Sequence, residues 1–171
     1  ISACLVGSEM CIRDRFYYFT GQAQKCSDLV EIYIMSSRLE LKLSACMLYV
    51  YSNLTLGKAK ASGRGLEIIR GCLRKEMEAP TSERNTAYCV FAGYMGTVLL
   101  HLSTEELPDM KKYMSSLPQG LRIFAANVIS HDLYLKGEYS RALGICDAAL
   151  FSCKEIYPVG MIYLYCVTAM C

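Results

Sequence analysis

Apolar positions recur along this chain at steps of three and four, the spacing of a helix with one buried face. The clearest run holds Tyr139, Ala142, Leu143, Cys146, Ala149, Leu150 and Cys153. Just before it, Gly137 marks the end of an earlier helix. The small residues Ala142 and Ala149 leave room for a neighbouring helix to come close. The same reading along the chain predicts helices over 22–36, 38–55, 59–78, 82–102, 105–116, 119–136, 138–154 and 158–170. Ser82 is the expected N-cap of its helix, with Glu83 in the first turn. Pro80 closes the preceding helix, Pro108 falls in a first helical turn, and Pro118 and Pro158 open the helices after them. No strand alternation of useful length is present.

The turn-then-helix element repeats. Gly21 is followed by Ala23, Cys26, Val30 and Tyr33, and Gly57 by Ala59, Ser62, Leu66 and Ile69. These offsets match those after Gly137 within one residue. A weaker counterpart runs from Leu100 to Ser103, with serine in the place of glycine, and on to Met110, Tyr113 and Met114. Turns at 21, 57, 103 and 137 lie 36, 46 and 34 residues apart. Such a period marks a helical repeat, and 134–150 resembles the second half of a tetratricopeptide (TPR) unit. The expected fold is all-α: antiparallel helix pairs stacked as a TPR-like right-handed solenoid, one continuous array over 16–171, cut at both ends. Gly21, Gly57, Gly137, Tyr139, Ala142, Leu143 and Ala149 are the expected packing residues.

Composition and local runs change this picture in four places. Residues 4–15 read Cys-Leu-Val-Gly-Ser-Glu-Met-Cys-Ile-Arg-Asp-Arg, which resembles a translated sequencing adapter, so residues 1–15 are expected to lie outside the fold. Eighteen Lys and Arg against sixteen Asp and Glu give a formal charge of +2. So small a balance points to neither nucleic acid nor a membrane surface as a direct partner. The basic cluster Lys58, Lys60, Arg64, Arg70, Arg74 and Lys75 reads as a solvated helix face. Of ten cysteines, the eight after the adapter-like run form no Cys-x-x-Cys pair and read as reduced thiols of a cytoplasmic protein. Residues 85–104 lack Asp, Glu, Lys and Arg, which raises a membrane span. Polar interruptions at Asn85, Thr86, Thr97, His101 and Ser103 favour a helix buried within the array.

Candidate chemistry is sparse. The two histidines, His101 and His131, sit in no catalytic motif. Ser130, His131 and Asp132 cannot form a triad on one helix, because adjacent side chains diverge. Glu105, Glu106 and Asp109 read as carboxylates at a helix N-terminus, and Glu76 and Glu78 as surface charges. No phosphate-binding Gly-x-x-x-x-Gly-Lys-Ser/Thr loop occurs. The sequence therefore predicts no enzyme, no cofactor and no metal. It offers a groove, for which Asn85, Tyr94, Arg122 and Asn127 are the candidate lining residues.

Arg38–Gly57 and His131–Leu143, set in such an array, resemble the helical repeat region of LuxR-family bacterial transcriptional regulators of the MalT type. That resemblance implies a sensor region in which a protein or small-molecule effector binds, with DNA contacted only through a C-terminal domain absent from this chain. The competing expectations are a TPR-like interaction scaffold unrelated to transcription and a membrane-protein fragment.

Overall fold

The structure, a computed structural model, describes residue 17, residues 20–152 and residues 165–171. It is helical throughout, with no strand among the described residues. The chain divides into two compact units at Thr81/Ser82. The first holds α1 (Ala23–Glu31), α2 (Leu39–Thr55) and α3 (Ala59–Glu78). The second holds α4 (Glu83–Leu99), a 3-10 turn (Met110–Ser116), α5 (Gln119–Leu135) and α6 (Tyr139–Ser152). Residues 165–170 are helical too.

Each unit is built on two left-handed turns. Gly21, Gly57 and Gly137 have φ of +71°, +69° and +75°, and His101 has +52°. At Gly57 the next N–H, of Lys58, reaches back to Asn53 O, and Gly57 N bonds Leu54 O. Glu138 and Gly137 repeat this with Leu133 and Tyr134, and Leu102 and His101 with Thr97 and Val98. This pair of bonds closes a helix end on its own last carbonyls and needs one residue at positive φ. The third turn along the chain therefore lies at His101, and the serine at 103 is not its pivot. With turns at 21, 57, 101 and 137, the spacings become 36, 44 and 36 residues.

The two units correspond at a constant offset of 80 residues. α2 spans 39–55 and α5 spans 119–135, and α3 and α6 begin at 59 and 139. Burial follows the same register. Leu43, Ala45, Cys46, Tyr49 and Asn53 are buried on α2, and Ile123, Ala125, Ala126, Ile129 and Leu133 on α5. On the following helices Ser62, Leu66 and Ile69 match Ala142, Cys146 and Ala149. In the first unit α1 packs on α2 and α2 on α3; in the second α5 packs on α4, the 3-10 turn and α6. Val167 joins the core formed by Ile123, Ala126, Cys146 and Ala149.

α2 and α3 approach closely at Gly65. A Cβ there would lie 2.8 Å from Val50 Cγ2 and 3.2 Å from Tyr49 Cδ1. Beside this contact the Ser62 hydroxyl donates to Val50 O at 3.1 Å. In α6 the position corresponding to Gly65 is Ile145, which is half-buried.

Several expected boundaries shift. The helix expected over 22–36 stops at Glu31, where Tyr33 N and Ser36 N bond carbonyls three residues back. These tight turns put Ile34 into the core and leave Ile32 and Met35 exposed. The helix expected over 105–116 begins only at Met110 and is 3-10 in form. Pro108 disfavours helical backbone at Leu107, and the Asp109 carboxylate accepts from Lys111 N at 3.1 Å, which makes it the N-cap. Pro108 thus precedes the helix, and Glu105 and Glu106 lie in a turn, away from any helix N-terminus.

Ser82 caps α4, its hydroxyl accepting from Asn85 N at 3.1 Å. Glu76 is buried, at 5% exposure, in contrast to the surface charge expected. Its carboxylate accepts from Thr81 N at 2.7 Å and from Thr81 Oγ1, which ties the end of α3 to the turn after it. The apolar run supplies α4, buried on most of its faces, and the helix expected to reach 102 ends at Leu99, before the left-handed turn at His101. No helix among the described residues is long and apolar enough to cross a membrane.

Candidate functional site

In the second unit, the end of α5, the turn at Gly137 and the start of α6 bring charged residues together. Asp132 and Lys136 lie one helical turn apart and pair at 2.7 Å. The Lys136 ammonium sits at the α5 C-terminus and Glu138 just before α6 begins, each at the helix pole that favours its charge. Glu138 in turn pairs with Arg141. The chain that leaves His101 crosses this corner. Buried Thr104 donates its hydroxyl to Asp132 Oδ1 at 3.0 Å, and Lys136 Nζ donates to Thr104 Oγ1 at 2.8 Å. Asp109 and Lys111 add a further charge of each sign at the start of the 3-10 turn.

These groups line a half-open cavity of about 200 Å³. Its charged lining is Asp109, Asp132 and Glu138 against Lys111, Lys136 and Arg141. Tyr94 reaches it from α4, and Met110, Ile129 and Leu133 supply apolar wall. Burial raises the Tyr94 phenol above its ordinary pKa, and nearby Asp132 and Asp109 act in the same direction. A backbone hydrogen bond at Met110 and the Lys136 charge oppose that shift. The phenol is therefore a neutral hydrogen-bonding group at physiological pH.

Of the four residues expected to line a groove, Tyr94 alone lines this cavity. Asn85 is the residue whose backbone N–H binds the α4 cap. Arg122 spends its guanidinium on Leu117 O and Ser115 O, at 2.9 and 2.7 Å, and so fastens the 3-10 turn to α5. Asn127 is half-buried, and its carbonyl accepts from the Ser130 hydroxyl at 2.9 Å. Among the expected packing residues, Ala142 and Ala149 are buried and Leu143 is half-buried. Tyr139 is 49% exposed and lays its ring against Tyr134, with centroids 5.5 Å apart. Cys153 and Pro158 lie outside the described residues.

Several other candidate groups are engaged or held in their neutral form. The Ser130 hydroxyl is committed to backbone, which keeps it from His131. Burial, then the neighbouring His101, holds the His131 imidazole below its ordinary pKa, with Asp132 opposing. Burial pushes the Cys46 thiol up to about 12, with Cys72 acting in the same direction, so it is no nucleophile at neutral pH. Arg64 pairs with Glu31 at 3.4 Å and Lys58 with Gln24 at 2.8 Å, and the remaining bases of that cluster lie along α3 as a largely solvated face. No group of three or more His, Cys, Asp or Glu among the described residues is arranged to hold a metal. What the site can do is bind a small polar ligand by hydrogen bonds and charge.

No family model matches the chain, and no curated protein or solved structure matches it.

Proposed function

We propose that this chain is a non-catalytic, cytoplasmic helical-repeat module of a LuxR-family regulator of the MalT type. In this reading its helix pairs stack as a TPR-like right-handed solenoid. The solenoid receives a protein or small-molecule effector and relays binding to a DNA-binding domain outside this chain. What supports the reading is the recurrence of one helix–turn–helix element, pivoting at 21, 57, 101 and 137, in two copies offset by 80 residues. Repeats of this kind present surfaces shaped for binding rather than chemistry. The regulator assignment itself rests on the resemblance of Arg38–Gly57 and His131–Leu143. An effector acts here by binding one conformation better than another and shifting their populations.

The complete open reading frame tests the assignment. A helix-turn-helix encoded downstream of Cys171 is the expected result. A complete frame without any DNA-binding module would overturn the regulator and leave an interaction scaffold of another protein.

A further inference from the structure

We propose that the cavity of the second unit is a binding site for a free α-amino acid in its zwitterionic form. This rests on the effector reading above and names the ligand class.

The first argument is surplus chemistry. The 80-residue correspondence pairs Asp132 with Ser52, Lys136 with Leu56 and Arg141 with Ala61. The first unit builds the same hairpin without any of these charges, so the hairpin does not require them. The second argument is space. In the first unit α1 fills the segment after the Gly21 turn. In the second, Leu102–Asp109 runs as loop, and a space of about 200 Å³ opens where that loop ends, lined by Asp109, Met110 and Lys111 together with residues of α4, α5 and α6. That volume is below the usual range for drug-sized ligands, which suits a molecule of amino-acid size.

The third argument is charge balance. Three acids and three bases line one small space. A ligand of a single sign meets as much repulsion as attraction there, whereas a zwitterion answers both. Asp132 and Lys136 largely satisfy each other and Thr104. Lys111 has no ion-pair partner among the described residues, and only one oxygen of Asp109 is taken by the cap. Lys111, with the Arg141 N–H groups left over from its pair with Glu138, supplies recognition of the α-carboxylate, and Asp109 with the Tyr94 phenol supplies that of the α-ammonium. Buried Met110, Ile129 and Leu133 accept a short side chain.

The test is calorimetric titration of the full chain with the proteinogenic L-amino acids, their N-acetyl forms and their carboxamides. At least one free amino acid should saturate a single site with a Kd in about the millimolar range or tighter. Both blocked forms of that amino acid, and the variants Lys111→Gln and Asp109→Asn, should each weaken binding by about tenfold or more. Lys60→Gln, on α3, should leave binding unchanged, and circular dichroism should show every variant still helical. Silence across the panel would overturn the site, as would a blocked form that binds as tightly as the free one. Undiminished binding by the folded Lys111 and Asp109 variants would do the same. The regulator reading fails separately, on the reading frame.

Discussion

The two units use the same turns and the same helix register, yet they fill the space after their first turn differently. After Gly21 the chain enters α1 at once, and that helix is fastened to α2 by a buried hydrogen bond from Asn53 to Ser27 at 2.9 Å. After His101 the chain carries Thr104, Pro108 and Asp109, which hold it as loop until Met110. Val30 and Met110 occupy equivalent, buried places, so the apolar anchor is kept while the helix around it is not. The contrast shows two levels of control. Left-handed turns and apolar stripes set the scaffold. In the second unit a proline, a cap and one buried hydroxyl accompany the loop that stands where the first unit has helix.

The largest expected break in this comparison is at the α2–α3 contact. Gly65→Ile installs the residue found at the equivalent position 145, and its Cβ meets stiff, buried Val50. About 3 kcal/mol of stability should be lost, seen as a lowered urea midpoint. Hydrogen exchange should accelerate in α2 and α3. An unchanged midpoint would mean that the two helix pairs are interchangeable in packing after all.

The next effect separates the polar fasteners. Asp132→Asn weakens the acceptor that holds buried Thr104 and Lys136, and should cost about 1–2 kcal/mol. In the first unit, Asn53→Leu combined with Ser27→Ala removes both partners of the buried bond. That change should be close to neutral, since neither polar group is left orphaned. Equal losses from the two changes would erase the distinction between the corners.

The turns follow. Gly57→Ala and Gly137→Ala each force a side chain into the left-handed region and should cost about 1 kcal/mol. His101→Gly relieves that strain and should raise stability by up to about 1 kcal/mol. Thermal melts of the three variants would show the opposite signs.

The smallest effect concerns pH. His131 has its folded pKa lowered, so the unfolded chain takes up a proton first as pH falls. The stability contributed by neutral His131 is present above the unfolded pKa, near 6.5, and declines as pH drops below it. His131→Gln should flatten the stability profile between about pH 7 and 5. A profile as steep as that of the parent would assign the slope to other groups.

Much of the scaffold was legible because its signals are local. Ser82 before Glu83 marks a cap, Gly57 and Gly137 mark positive φ, and steps of three and four mark buried faces. The turn at 101 is not legible, because histidine does not announce a left-handed residue, whereas Ser103 resembles a conventional breaker. Nothing local marks Glu76 as buried, because Thr81, which donates to it, lies beyond the end of its own helix. Of the residues whose polarity suggests a groove, Tyr94 lines the cavity, whereas Asn85, Arg122 and Asn127 do not. Asn85 and Arg122 serve a cap and a helix junction. The signal that leads to the cavity was present in the chain: Asp132 with Lys136, and Glu138 with Arg141, bracket a glycine turn at i,i+4 and i,i+3 spacing.

The sequence by itself determined that this protein is helical, where most helices begin and end, and that one hairpin recurs along it. Those properties depend on residues within a turn or two of each other, where capping, propensity and periodicity act. Only the tertiary structure decided that the chain forms two compact units and that α2 and α3 meet at Gly65. It also decided that Tyr94, Asp109, Asp132 and Arg141 face one space. Such contacts join residues tens of positions apart, and a local pattern encodes which face a helix buries but not which distant side chains that burial brings together.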